Sequence, residues 1–184
     1  MDEHEAIRRL QSGHLDGLET LVQLHQQRAV RAAYLIVREA ALAEDLAQEA
    51  FLRAYGRISQ FDTSRPFGPW FYRIVTNLAQ RAAARAARQT SFDSPAPDGA
   101  LTLAEVLADS EPGPEAHVEQ AQARERLWQA LGRLAPEQRA AVVERYYLGL
   151  SEAEMAARGG LAAGTVKWRL HAARARLRAW LRAA

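Results

Sequence analysis

Residues 161–184, Leu161 to Ala184, read LAAGTVKWRLHAARARLRAWLRAA, with six basic side chains (Lys167, Arg169, Arg174, Arg176, Arg178, Arg182) and no acid. Wound at about 100° per residue, Val166, Leu170, Ala173, Leu177 and Leu181 share one stripe, with Trp180 at its edge. Trp168, His171, Ala172 and Ala175 form the opposite face, flanked by Lys167 and Arg174 on one side and by Arg169 and Arg176 on the other. An apolar back, a front with two small residues and cations on both shoulders suit a helix lying in a DNA major groove. The shoulders reach phosphates and the front meets base edges. The plain alternative is an amphipathic surface helix whose arginines are simply solvated.

The residues upstream favour the first reading. Pro136 suits a helix start, and the run Glu137 to Leu148 ends at Gly149, a C-terminal stop. Ser151 and Glu154 have capping-box spacing, Ser-x-x-Glu, and open a short helix through Met155 and Ala156. Gly159 and Gly160 end that helix, and the basic one follows within a few residues. A short helix, a glycine-containing turn and a longer basic helix make a helix-turn-helix.

Charge divides the chain into three parts. Residues 1–88 hold 12 basic and 10 acidic side chains, residues 89–121 none and 7, and residues 122–184 hold 12 and 5. The acidic middle also contains Pro95, Pro97, Gly99, Pro112, Gly113 and Pro114, which marks a tether. Within it, Leu101 to Leu107 is a short apolar segment that could dock. The predicted fold is all-α: two small helical domains, residues 10–88 and 120–184, joined by an acidic flexible linker over 89–119. An apolar share of 48% argues against wholesale disorder. The absence of cysteine excludes disulfides, thiolate zinc sites and thiol redox chemistry. The acidic start Met1-Asp2-Glu3-His4-Glu5 lacks a signal-peptide core, and no apolar run approaches spanning length. A soluble, cytoplasmic protein without membrane insertion is expected.

In the first domain, Leu18, Leu21, Val22, Leu24, Ala29, Ala32, Ala33, Leu35 and Ile36 keep a helical period from Asp16 to about Arg38, as one helix or two. His4, His14 and His25 have no partner at metal-ligand spacing and are expected to be solvated. The next helix turns Ala47, Ala50, Phe51, Ala54 and then Ile58 inward. Asp45, Gln48, Glu49, Leu52 and Arg53 lie on its far side. A leucine within a polar rim is either an ordinary exposed residue or the anchor of a face that docks a partner helix. In the helix from Phe67, the inward set is Phe67, Phe71, Ile74, Val75 and Leu78. The outward set is Tyr72, Arg73, Thr76, Asn77 and Gln80, and Arg81, Arg85 and Arg88 continue it. An aromatic beside amides and arginines suits single-stranded nucleic acid. The alternative is a wet polar surface over an aromatic core.

Three stretches together resemble the bacterial RNA polymerase sigma factors of the sigma-70 family, extracytoplasmic-function group. They are Ala43–Arg53 (AEDLAQEAFLR), Trp70–Leu78 (WFYRIVTNL), and Ser151–Ala156 (SEAEMA) continuing to Gly164–Leu170 (GTVKWRL). The resemblance covers about residues 10–88 and 120–182. It implies that Asp45, Gln48, Glu49, Leu52 and Arg53 dock on the clamp helices of the core polymerase's largest subunit, and that the chain also contacts the polymerase's flap region. It implies that Ser59, Gln60, Phe61 and Asp62 shape a pocket for a flipped base of the minus-10 element. Tyr72, Arg73, Thr76, Asn77, Gln80 and Arg81 would then hold the melted strand. Thr165, Lys167, Trp168, Arg169, His171, Arg174 and Arg176 would read the minus-35 duplex. By the same resemblance the acidic tether threads the RNA-exit path, promoter DNA is a partner, and an anti-sigma protein is a further one.

Two positions depart from the family pattern. Trp168 stands where a small polar residue is usual, and Ala172 where a basic one is common. The promoter sequence read here is therefore expected to differ from that of better-known relatives. Trp168 can pack on a thymine methyl or a sugar, but it cannot make arginine's bidentate contact to guanine. No His-Glu-x-x-His, no Gly-rich phosphate loop and no activated nucleophile occurs, so no enzyme activity, catalytic residue, cofactor or metal site is expected. Two other functions fit the same residues: a helix-turn-helix regulator acting without polymerase, and an all-helical adaptor using the Leu52 face.

Overall fold

The structure, a computed structural model, describes residues 1–89 and 114–183, and among these there are eight α-helices and no strand. The apolar segment Leu101 to Leu107 and most of the tether lie outside the described residues. Two compact units form, Met1–Ala82 and Ala83–Ala184.

The first unit is built from α1 (Glu3–Gln11), α2 (Asp16–Val37), α3 (Ala40–Tyr55), a 3₁₀ turn (Ile58–Gln60) and α4 (Phe67–Gln89). Helix α1 starts on an Asp2 side-chain cap that accepts the Glu5 N–H at 2.8 Å, and it buries Ala6, Ile7 and Leu10. Gly17 is what lets α2 cross α1 so closely. A Cβ there would stand 2.2 Å from the Ala6 carbonyl oxygen, so any side chain would push the helices apart. The run from Asp16 is a single helix, ending on Arg38 in the left-handed conformation (φ 68°) before the chain turns into α3. Helix α3 buries Ala43, Leu46, Ala47, Ala50, Phe51 and Ala54. The rings of Phe51 and Phe71 then meet at 4.3 Å between centroids, in a core that Phe61, Phe67 and Trp70 complete. Gln11 fixes the turn after α3, because its amide donates to the carbonyls of Ile58 (2.9 Å) and Phe61 (3.0 Å).

The second unit comprises α5 (Pro114–Gly132), α6 (Pro136–Val142), α7 (Glu152–Gly159) and α8 (Ala163–Ala183). Helix α5 begins at Pro114, inside the stretch whose composition reads as tether. Pro136 is at the start of α6 as its fixed φ favours. The helix expected through Leu148 instead widens after Val142 into a π turn over Val143–Tyr147, which closes by Leu148 N–H to Val143 C=O (3.0 Å). Gly149, at φ 75°, turns the chain towards α7. Ser151 and Glu154 form the full capping box. Glu154 N–H donates to Ser151 Oγ (3.2 Å), and Ser151 N–H donates to Glu154 Oε2 (2.8 Å). Gly160, at φ 61°, ends α7. Beneath α8, Val166, Leu170 and Ala173 are fully buried. Leu177 is only half-buried and Leu181, expected on the same inward stripe, is exposed, because the last turns of α8 run past the apolar layer it packs on.

Candidate protein and nucleic-acid interfaces

On α3, the side opposite the buried alanines presents Asp45, Gln48, Leu52 and Arg53 to solvent, with Glu49 half-buried. Leu52 is 67% exposed, an apolar side chain among the polar Gln48, Glu49 and Arg53. Arg53 is held along the helix by Glu49, at 2.6 and 2.9 Å from its guanidinium nitrogens. Spacing of four residues makes such a pair geometrically easy, and it stiffens one edge of the face.

Beside that face, α3 and α4 enclose an open cleft of about 210 Å³. Arg53, Arg57, Arg73 and Arg81 line it together with Trp70 and Asn77, and no carboxylate does. Ile74 and Leu78 supply its apolar floor. Ile74, expected inside, is half-buried for this reason. Trp70 has two environments: it packs against Phe61 and Phe67 (centroids 4.9 and 5.5 Å apart) and also faces the cleft. Arg53 is shared with Glu49, and the guanidiniums of Arg57, Arg73 and Arg81 around an aromatic and an amide can hold a phosphate backbone while a base stacks.

Several expected site residues are elsewhere. Tyr72 and Thr76, placed on the outward side of α4, are buried at 5% and 1% exposure. The Tyr72 hydroxyl bonds His25 Nδ1 at 2.9 Å, and the Arg28 guanidinium lies over its ring at 5.3 Å. Thr76 Oγ1 donates to the Arg73 carbonyl (3.3 Å). Phe61, assigned to a base pocket, is buried with its ring edge-on to Phe67. Its neighbours Ser59, Gln60 and Asp62 are exposed. His25 is not solvated. Its ring is buried between Phe67 and Phe71, and Nε2 meets Glu3 Oε1 at 2.7 Å. The two ring nitrogens of His25 thus each have one polar partner, the Glu3 carboxylate and the Tyr72 hydroxyl. Gln80 is half-buried and Arg81 exposed, while Arg57 and Trp70 line the cleft although the sequence assigned neither a site. Arg57 sits four residues after Arg53, beyond the end of α3, where a helical period gives no guide to its direction.

In the second unit the expected front of α8 is open at its N-terminal end. Trp168 is 62% exposed, Lys167 and His171 are exposed, and Thr165 and Arg169 are half-buried. Further along, two cations are drawn to neighbouring helices. Arg174 faces Glu152 at 3.7 Å, and Arg176 donates to the buried Gln138 amide oxygen at 3.0 Å. Lys167, Trp168 and His171 thus form an exposed front within the first three turns, which is where recognition helices meet bases, while the last turns are exposed because they run past the packed layer. Among the described residues no group of three or more His, Asp or Glu could hold a metal, and no helix is long and apolar enough to cross a membrane.

A helix-turn-helix with a basic front and a separate helical unit with an arginine-lined cleft are the features of a nucleic-acid-binding protein. Residues 21–89 match the family described as Sigma-70 region 2, and residues 124–177 match Sigma-70, region 4. The chain is 30% identical over 178 residues to the ECF RNA polymerase sigma factor SigW of Bacillus subtilis, covering 96% of this chain and 95% of SigW. Its fold resembles that of CnrH in complex with the cytosolic domain of CnrY (TM-score 0.66, 24% identity, 99% of each chain). It also resembles RpoE in complex with the anti-sigma factor NepR from Bartonella quintana (TM-score 0.60, 24% identity, 89% of this chain and 96% of RpoE). The chain belongs to the sigma-70 family of RNA polymerase sigma factors, in the extracytoplasmic-function group. It is thus an alternative sigma factor, a protein that directs transcription.

Proposed function

We propose that this sigma factor docks on core RNA polymerase through the Leu52 face of α3, with a further contact to the flap region, and holds the melted minus-10 strand in the α3–α4 cleft. The N-terminal half of α8 reads the minus-35 duplex. The observation that carries this reading is the cleft itself, with four arginines, no carboxylate, a half-exposed tryptophan and an amide. A single strand offers what such a lining takes: phosphates for the guanidiniums, a π-face for Trp70, and base edges for Asn77. Tyr72, Thr76 and Phe61 have no direct part, since they are spent on the core, and Arg57 and Trp70 take their place. Arg73, Asn77, Gln80 and Arg81 remain, with Ser59, Gln60 and Asp62 at the exposed turn. Each interface is small, and joint engagement on the polymerase raises the effective concentration of the second site once the first is bound.

An anti-sigma protein is proposed as a further partner, because solved structures of this fold include RpoE bound to the anti-sigma factor NepR. Such a partner would cover Leu52 or the cleft and so compete with polymerase or DNA. A cytoplasmic location follows from the same role.

The test is a gel shift of promoter DNA with and without core polymerase. Specific duplex binding by the chain alone, with no gain from core, would instead make it a regulator independent of polymerase. For the cleft, the double substitution Arg73→Ala with Arg81→Ala should lower the salt slope of holoenzyme binding to a non-template minus-10 oligonucleotide by about 1.4, some 0.7 per lost single-strand phosphate contact. An unchanged slope removes the cleft from the strand's path.

A further inference from the structure

We infer that Trp168 is the base-selecting residue of α8, and that it selects thymine by packing its indole on the 5-methyl group in the major groove. This rests on the reading of α8 as the minus-35 reader and deepens it.

Trp168 is an exposed large aromatic on an otherwise basic helix, and at 62% exposure it contributes nothing to the core under α8. Val166 and Leu170, two residues to either side of it, are fully buried and fix the rotation of the helix, so the indole points away from the unit. One turn on, Ala172 is half-buried, and Ala175 lies a further turn along, which leaves a shallow step beside the ring with the exposed His171 imidazole as the polar group at its edge. Lys167 lies exposed beside it, and Arg169 lies on the other shoulder. Cations on both sides of an apolar front fit the two phosphate backbones of a groove and argue against an apolar protein partner, which would have to desolvate them.

The chemistry of the front then limits which base it can choose. Guanine is selected by two donors in a fork, and adenine by an amide pairing N6 and N7. Indole offers one N–H and no acceptor, so it can do neither. The arginines that could reach past it are turned aside, Arg174 towards Glu152 and Arg176 onto Gln138. What a broad apolar ring can distinguish in the major groove is the thymine methyl, the one apolar group on the base edges.

The experiment uses holoenzyme reconstituted from the full chain and core polymerase, transcribing a template pool randomised across both promoter windows, with the RNA products sequenced. The wild-type protein should enrich thymine at one or two minus-35 positions. Trp168→Ala should lose enrichment there and keep it elsewhere, and Trp168→Arg should replace thymine by guanine at the same place. Replacing that thymine by deoxyuridine, which removes only the methyl, should weaken wild-type binding about fourfold, the worth of one buried methyl group. Trp168→Ala should not respond to deoxyuridine. Identical base preferences in wild type and Trp168→Ala, or a deoxyuridine effect that survives the substitution, overturns the assignment. Wild-type protein that gives no transcripts from any template would instead refute the sigma reading itself. Truncating an exposed side chain leaves the core intact, and an unchanged melting temperature of Trp168→Ala verifies this.

Discussion

Glu3, His25 and Tyr72 form two hydrogen bonds in series, 2.7 and 2.9 Å long, that tie α1 and α2 to the start of α4. Removing the tyrosine hydroxyl leaves a buried ring nitrogen without its partner. Tyr72→Phe should therefore cost about 1–3 kcal/mol in urea unfolding while leaving promoter affinity unchanged. Lost affinity with undiminished stability would return Tyr72 to the DNA-contacting set. Ser151→Ala removes the Oγ that accepts the Glu154 N–H, one arm of the capping box, and should lower the stability of the second unit by about 1 kcal/mol, read as a lower midpoint in thermal unfolding. Asp62 gives a pH prediction. The Ser64 hydroxyl and N–H, then Arg65, hold its carboxyl below the ordinary 3.8. The folded state thus favours the charged form, so the turn is most stable above that value and loosens as pH falls through the lower, folded one. A carboxyl-carbon NMR titration should place the midpoint below 3.8, and a midpoint above it would mean the turn's hydrogen bonds do not persist in solution.

Helices α3 and α8 could be oriented from the sequence because each packs on one side only, so a single stripe at helical spacing separates core from surface. Leu52 and Trp168 stood out for the same reason, each apolar on the wrong side. Helix α4 defeats that logic. It meets α3 through Phe71 and α2 through Tyr72, adjacent residues whose directions differ by about 100°, so its buried arc is too wide for one stripe. Hence a single stripe turns Tyr72 and Thr76 outward and gives Trp70 no site, while Arg57, beyond the end of α3, has no helical period to orient it. Helix α1 carried a readable signal, an Asp2 cap before Ala6, Ile7 and Leu10, but its acidic start draws attention to charge instead. No residue pattern revealed His25's partners, which come from helices 22 and 47 positions away. Two substitutions test the elements by function. Leu52→Asp should abolish co-purification with core polymerase while circular dichroism stays that of the wild type. Undiminished co-purification would take this face out of the account. Lys167→Ala should weaken promoter binding by holoenzyme more than Arg182→Ala does, since Lys167 lies in the open first turns of α8 and Arg182 beyond them. The reverse order would mean that α8 enters DNA by its other end.

Across the whole molecule, the charge pattern and the two units point the same way. Residues 122–184 hold 12 bases to 5 acids and residues 89–121 hold 7 acids and no base, so a net charge of only +2 leaves strong local fields of opposite sign. The proposed function has specificity come from both units acting together on the polymerase, the tether setting the effective concentration of the second once the first is bound. The most direct measurement of that claim is run-off transcription by purified core polymerase with and without this chain, on templates randomised across the two promoter windows. The account predicts transcripts from a restricted set of start sites only when the chain is present, and their loss on Leu52→Asp. Transcription that is the same with and without the chain would contradict it.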